Sequence, residues 1–395
     1  MNSSSLPAGP RYGNRSLADL ARSVLVSVGL NGRGTATGQR DQDGLQLPTA
    51  PRLCLLLLDG LGWELLQRHG PLAPFLTAAA RSEPLDAAFP TTTVASLGSL
   101  ATGRAPGEHG LVGATVALPW TDRPMSLLGW KLHGVGDHVP LVDREPPQEV
   151  QPCATVFERA AAAGLRPVAV GPSGHADTGL SQAVLRGAVQ VAVDDPSRLA
   201  TTVIDALAGS TQRLVYAYHG ALDQVGHAEG TGSAAWRAEL ARADALVAAL
   251  AARLPPGALL VVTGDHGMVD VSRGDQVDVA DTPGLLRGVR VVAGEPRCRH
   301  VHAHPGAQDD VLAAWRARLG AAATVVTRAQ AVASGWFGPR VTAAVEQRIG
   351  DVVVAARGRL AITNKRMDPH QREMVGHHGG LTRDELLVPL VILES

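Results

Sequence analysis

Short, almost purely apolar runs recur along this chain, each parted from the next by an Ala-rich stretch at helical spacing and a Gly/Pro turn. A run such as Leu53–Leu58 has no polar alternation, so both faces of the strand it forms must be covered. Repeated in alternation with helices, such runs predict a mostly parallel central sheet with helices on both sides, a three-layer α/β/α sandwich. The predicted strands are Leu53–Leu58, Pro167–Val170, Leu214–His219, Ala258–Thr263, Val289–Ala293, Asp351–Ala355 and Leu387–Leu393. Predicted helices lie near Leu17–Val28, Thr93–Ala101, Ala154–Ala163, Ser233–Arg253, Gln308–Leu319 and Pro339–Arg348. At roughly 100 to 200 residues per domain, 395 residues allow two domains, but one elaborated sheet suits the pattern better. Residues 1–50 read as an N-terminal arm, a short helix followed by the Gly/Thr/Gln/Asp-rich connector Asn31–Gly44, and 51–395 as the main domain. Residues 276–350, approximately, interrupt two stretches that look like core and read as an inserted lid or subdomain.

Composition narrows the function classes. With 36 basic against 37 acidic side chains and no basic run, the chain lacks the electrostatic footprint of a nucleic-acid-polymer binder. No apolar run approaches the roughly 18 to 20 residues a membrane span requires, so no membrane partner is expected. Met1–Arg15 has no basic segment leading into an apolar one, which makes the cytoplasm the expected location. Cys54, Cys153 and Cys298 are far apart, odd in number and in no CxxC pair, and read as small apolar fillers.

Polar chemistry gathers where the predicted strands stop. Leu58 is followed by Asp59-Gly60; Tyr216-Ala217-Tyr218-His219 leads to Asp223 and His227; Val262-Thr263 is followed by Gly264-Asp265-His266-Gly267. One such Asp is ordinarily a turn or cap residue, yet ligands of open α/β sheets collect outside the carboxyl ends of the strands. Asp265-His266 offers adjacent O and N ligands in a Gly-permissive turn. Asp223 and His227 are four apart, so a helical turn puts both on one face. Gly376-His377-His378-Gly379-Gly380 brings further imidazoles in a flexible turn ahead of the last strand. In Phe89-Pro90-Thr91-Thr92-Thr93, three threonines precede a small-residue helix, where a hydroxyl can stand at a helix N-terminus that favours anions.

In this order these segments resemble the alkaline phosphatase superfamily, and within it the nucleotide pyrophosphatase/phosphodiesterase branch, from about Leu53 to Leu393. The shared features are Leu58-Asp59-Gly60, the Phe-Pro-Thr-x-Thr stretch ending at Thr93, Thr102-Gly103, His109-Gly110, the Asp223…His227 pair, Thr263-Gly264-Asp265-His266-Gly267-Met268 and a late His-Gly. The resemblance implies a metal-dependent hydrolase of phosphodiester or pyrophosphate bonds, acting on a small phosphorylated substrate such as a nucleotide through a covalent Thr93-phosphate. It implies two Zn²⁺ ions, with Mn²⁺ also compatible with O and N ligands. One would be held by Asp223, His227 and His378, the other by Asp59, Asp265 and His266, with Thr93 reaching both. Three carboxylates, two divalent ions and a Thr93 alkoxide sum to about zero, so the site can accept one phosphodiester charge.

The chain departs from that branch at two places. Val94-Ala95-Ser96-Leu97 stands where Phe-Pro-Asn-His is usual, and Gly113-Ala114 where an Asn would bind a phosphoryl oxygen. Preference for diester over monoester is therefore open, and a phosphomonoesterase, phosphonate hydrolase or phosphotransferase is the alternative on this scaffold. A catalytically silent binding protein would have no reason to keep six ligands and the Thr together. His300, His302 and His304 sit at strand spacing and read as a solvated or site-facing edge of the insertion. Trp130 and Lys131 are candidates to replace the missing oxygen contact.

Overall fold

The computed structural model describes residues 6–30, 45–208 and 213–395; the connector Asn31–Gly44 lies outside the described residues. Four of the predicted runs become parallel strands, β1 (Arg52–Leu58), β2 (Arg166–Gly171), β4 (Arg213–His219) and β5 (Ala258–Thr263), and a fifth, the largely exposed edge strand β3 (Val189–Ala192), is not among those predicted. The C-terminal strand Leu390–Glu394 joins them antiparallel beside β5, giving the order C-terminal strand, β5, β1, β4, β2, β3. Alternate residues of β1 point to opposite faces, so Cys54, Leu56 and Leu58 enter one core while Leu53, Leu55 and Leu57 enter the other. Each fully buried Leu contributes roughly 1.5–3 kcal/mol over leaving it exposed, which fixes the sheet between two helical layers.

The layers follow from helical spacing. Six helices matter below: α1 (Leu17–Ser27), α2 (Thr93–Thr102), α3 (Gly179–Val184), α4 (Ala221–Glu229), α5 (Ala234–Ala251) and α6 (Gln308–Leu319). Helix α5 starts at Ser233, whose hydroxyl accepts from the Trp236 amide at 3.0 Å, and buries Trp236, Leu240, Ala243, Val247 and Leu250 in one layer. Helix α1 buries Leu17, Leu20, Ala21, Val24 and Leu25 in the opposite layer, beside Leu100 of α2. Among the described residues no helix is long and apolar enough to cross a membrane.

Two predicted core strands belong elsewhere. β6 (Val289–Glu295), β7 (Cys298–Ala303), β8 (Ala323–Thr327) and β9 (Val352–Ala356) form a separate antiparallel sheet in the order β6, β7, β9, β8. The runs Val289–Ala293 and Asp351–Ala355 are buried on both faces, and periodicity cannot tell which sheet such a run enters. One face packs Val301, Val325, Val352 and Val354 on Trp315 of α6, while Cys298, Val353 and Ala355 join Phe89, Val94, Trp336 and Phe337 in a second cluster. Arg297 ties this sheet to the main domain with paired bonds of 2.7 and 2.8 Å to Glu385, both side chains fully buried. The last predicted strand divides at Pro389: Leu387–Val388 pairs with Leu85–Asp86 and the remainder joins β5. Within Pro339–Arg348 only Ala343–Glu346 is helical.

Candidate active site

The carboxyl ends of β1, β4 and β5 meet at one place. Asp59 follows β1 directly; α4 follows β4 and carries Asp223 and His227 one turn apart; Asp265-His266 follows β5; His378 comes from the segment after the second sheet. Close approach of α4 to β1 depends on Gly60, whose φ of 78° is left-handed and whose missing Cβ would lie 3.0 Å from the Asp223 Cα. The structure brings all six predicted ligands and Thr93 into this one pocket. His266 Nε2 lies 3.5 Å from Asp59 Oδ1, 3.4 Å from Asp265 Oδ2 and 3.2 Å from Thr93 Oγ1. His227 Nε2 lies 3.4 Å from Asp223 Oδ2 and 3.2 Å from His378 Nε2, and His378 Nε2 is 3.9 Å from Asp223 Oδ1. The His266 and His378 rings stack at 3.6 Å, joining the two halves.

The hydrogen-bond pattern shows what the cluster is built to face. The Nδ1 atoms of His227, His266 and His378 sit at the carbonyls of Gly376 (2.7 Å), Gly267 (3.0 Å) and Thr91 (2.8 Å), so each ring donates there and keeps the Nε2 lone pair for the pocket. The carboxylates divide in the same way. Asp59 Oδ2 accepts from the Tyr218 hydroxyl at 2.6 Å, and Asp265 Oδ1 accepts from the amides of Gly60 and His266 at 3.0 and 3.1 Å. Asp59 Oδ1, Asp265 Oδ2 and Asp223 Oδ1 are buried with no hydrogen-bond partner. Three orphaned carboxylate oxygens facing three imidazole lone pairs suit divalent cations, because nothing else at hand would repay their burial. Asp59, Asp265 and His266 could hold one ion, and Asp223, His266 and His378 offer ligand atoms close enough for another. Burial, then the neighbouring Asp265 and Asp223 charges, pushes the Asp59 carboxyl well above its usual range, and burial also raises Asp223. Burial followed by its two imidazole neighbours drives His378 well below the usual histidine value. A cation would reverse the first trend, holding the carboxylates ionised, and reinforce the second, because it binds the unprotonated imidazole.

Thr93 is the first residue of α2, and Thr92, its N-cap, makes no side-chain cap bond. Thr91 is locked away, donating to the Gly380 carbonyl at 2.9 Å and accepting from the Gly379 amide at 3.0 Å. Beside Thr93 opens a cavity of about 380 Å³ whose wall includes Thr93, Asp59 and Asp223.

Other predicted residues take structural places. His219 turns to Glu239 of α5 at 3.0 Å, and His377 to the Met374 carbonyl at 3.2 Å. His300 is fully buried, held by the Val112 carbonyl at 2.9 Å and the Gly350 amide at 3.2 Å; His302 is buried and His304 exposed, so these three do not form a site-facing edge. Trp130 is buried, donating to the Glu145 carbonyl at 2.8 Å, and neither it nor Lys131 lines the cavity. The Ala114 amide, at the place of the missing Asn, is occupied by Glu295 Oε2 at 2.8 Å. No residue of 276–350 lines the cavity.

Sequence reasoning missed Tyr218 and Tyr216. Tyr218 orients Asp59; Tyr216 lines the cavity with a buried hydroxyl that has no partner. The available signal was the period-2 spacing, which puts both rings on one face of the strand leading to Asp223.

An α/β/α sandwich carrying an Asp/His cluster and a threonine at its strand ends defines a hydrolase of the alkaline phosphatase superfamily. The chain belongs to the type I phosphodiesterase/nucleotide pyrophosphatase family, whose model matches residues 53–381. Its fold is similar to murine ectonucleotide pyrophosphatase/phosphodiesterase 5, solved both alone and as an inactive variant in complex with AMP, and to the human protein of that name. Each superposes with a TM-score of 0.65 at 16% identity, covering 87% of this chain and 87–88% of the other. No curated protein matches the sequence.

Proposed function

We propose that this chain hydrolyses phosphodiester or pyrophosphate bonds of a small phosphorylated substrate, with Thr93 as the nucleophile and two divalent ions, Zn²⁺ foremost and Mn²⁺ also compatible. The observation that carries this reading is the cluster of three partnerless carboxylate oxygens and three imidazole Nε2 atoms, with Thr93 Oγ1 3.2 Å from the Nε2 of His266. Asp59, Asp265 and His266 would hold one ion, and Asp223, His227 and His378 the other. When bound, the ions supply positive charge that lowers the pKa of the Thr93 hydroxyl and offsets charge on the leaving oxygen. The Thr93 hydroxyl gives its proton to solvent as Oγ attacks phosphorus, the ester P–O bond breaks, and the leaving alkoxide takes a proton back from solvent. Water then cleaves the Thr93 Oγ–P bond, releasing the phosphate product and returning the Thr93 hydroxyl. His266, whose Nδ1 is tied to the Gly267 carbonyl, keeps Nε2 beside Thr93 through both steps.

The cavity beside Thr93 supports a diester over a monoester, because it gives a second substituent on phosphorus somewhere to sit. AMP, bound by the murine relative, makes nucleotide esters natural probes. The ratio of kcat/KM for bis(p-nitrophenyl) phosphate to that for p-nitrophenyl phosphate, on zinc-loaded protein, tests the reading. A ratio well above one is expected; one well below it would assign the scaffold to a phosphomonoesterase.

A further inference from the structure

The cavity wall carries more information than its position. Away from Asp59 and Asp223 it is mainly apolar, with Leu97, Leu180, Val184 and Val191 beside Tyr216, Tyr218 and the polar groups of His175, Thr178, Ser181, Gln190 and Gln224, and it contains no Lys or Arg among the described residues. A further phosphate would find no Lys or Arg there, and the Thr178 and Ser181 hydroxyls already donate to the His175 carbonyl, so its desolvation would be poorly offset. Tyr216 is 5% exposed and borders the cavity, with its hydroxyl buried inside the protein. At the mouth, Leu128 is 58% exposed. Its turn is pinned by Trp130, which packs so closely on Gly179 of α3 that a Cβ there would lie 2.1 Å from the ring. The exposed leucine is thereby fixed over an apolar opening, where it would cover an apolar guest.

We propose that this cavity selects substrates in which the scissile phosphate carries an uncharged, mainly apolar alcohol group. The assignment rests on the phosphodiesterase reading and narrows its substrate class: an alkyl or aryl phosphodiester is preferred over a nucleotide ester or a pyrophosphate.

The test is a series of p-nitrophenyl phosphodiesters bearing methyl, propyl, butyl, octyl or 2-methoxyethyl groups, with the p-nitrophenyl ester of thymidine 5′-phosphate as the nucleotide member. On zinc-loaded enzyme, kcat/KM should rise roughly threefold to fourfold per buried methylene until the cavity is full. The octyl ester should exceed the thymidine ester. The 2-methoxyethyl ester should fall below its butyl isostere, and Val184→Trp should flatten the chain-length series. A flat series in the wild type, or the thymidine ester as best substrate, would overturn the proposal. Calorimetric binding of octylphosphonate and methylphosphonate separates the two layers of the argument. Tighter octyl binding without turnover of any diester would retire the reaction and keep the pocket, whereas equal affinities would retire the pocket whatever the enzyme hydrolyses.

Discussion

Replacing Tyr218 by Phe removes one oxygen from the second layer of the site and leaves the ring in place. The Tyr218 hydroxyl donates at 2.6 Å to Asp59 Oδ2, turning the partnerless Oδ1 toward His266 and Asp265. Asp59 is only 2% exposed, so in the variant Oδ2 would be buried without water to replace the phenol. A hydrogen bond to a charged acceptor is worth about 1.5–3 kcal/mol. At 1.36 kcal/mol per factor of ten this amounts to roughly 10- to 100-fold in affinity for an ion held by Asp59, Asp265 and His266. The second ion, assigned to Asp223, His227 and His378, should bind as before, because the Nδ1 tethers of its imidazoles run to Gly376 and Thr91. Competition against a chromophoric chelator resolves the two equivalents. One weakened equivalent beside one unchanged is the expected result. Two unchanged equivalents, or two weakened alike, would refute the division of ligands between two ions.

Thr93→Ala should retain the wild-type metal content while turnover of bis(p-nitrophenyl) phosphate falls by on the order of 10³-fold or more, measured together by metal analysis and release of p-nitrophenol. Arg297→Met should lower urea-unfolding stability by about 3–5 kcal/mol, because it strands the Glu385 carboxylate in a site with no exposure. Burial holds His109 and His302 down at about 3 and His300 at about 4, whereas the unfolded chain takes up these protons near 6.5. The folded state thus binds fewer protons, and stability should fall with pH from about 6.5 toward 4, by up to about 1.4 kcal/mol per pH unit for each group. His300→Asn, compared with wild type by urea titration at pH 7 and pH 5, should show a stability gap that narrows on acidification.

The central sheet was legible because its strands are buried on both faces, so uninterrupted runs such as Leu53–Leu58 and Ala258–Thr263 could be little else. The same property hid the second sheet. Val289–Ala293 and Asp351–Ala355 look like core strands and are core strands, of another sheet, and only their partners reveal it. The polar cluster could be assembled from strand-end positions and order because ligands must emerge where strands stop. Its supporting contacts could not: the Nδ1 tethers run to backbone carbonyls of Thr91, Gly267 and Gly376, which carry no sequence signature. His300 shows the converse. A histidine at strand spacing looks chemical in the sequence, but fold-wide packing spends both its nitrogens on Val112 and Gly350.

The claim that Thr93 is the nucleophile of this pocket can be tested directly by mixing zinc-loaded protein with bis(p-nitrophenyl) phosphate, quenching in acid during turnover and mapping the peptides by mass spectrometry. The account predicts a p-nitrophenylphosphoryl group on Thr93, absent from the Thr93→Ala protein. Turnover with an unmodified Thr93 in the quenched wild type, or with the adduct on another residue, would contradict it.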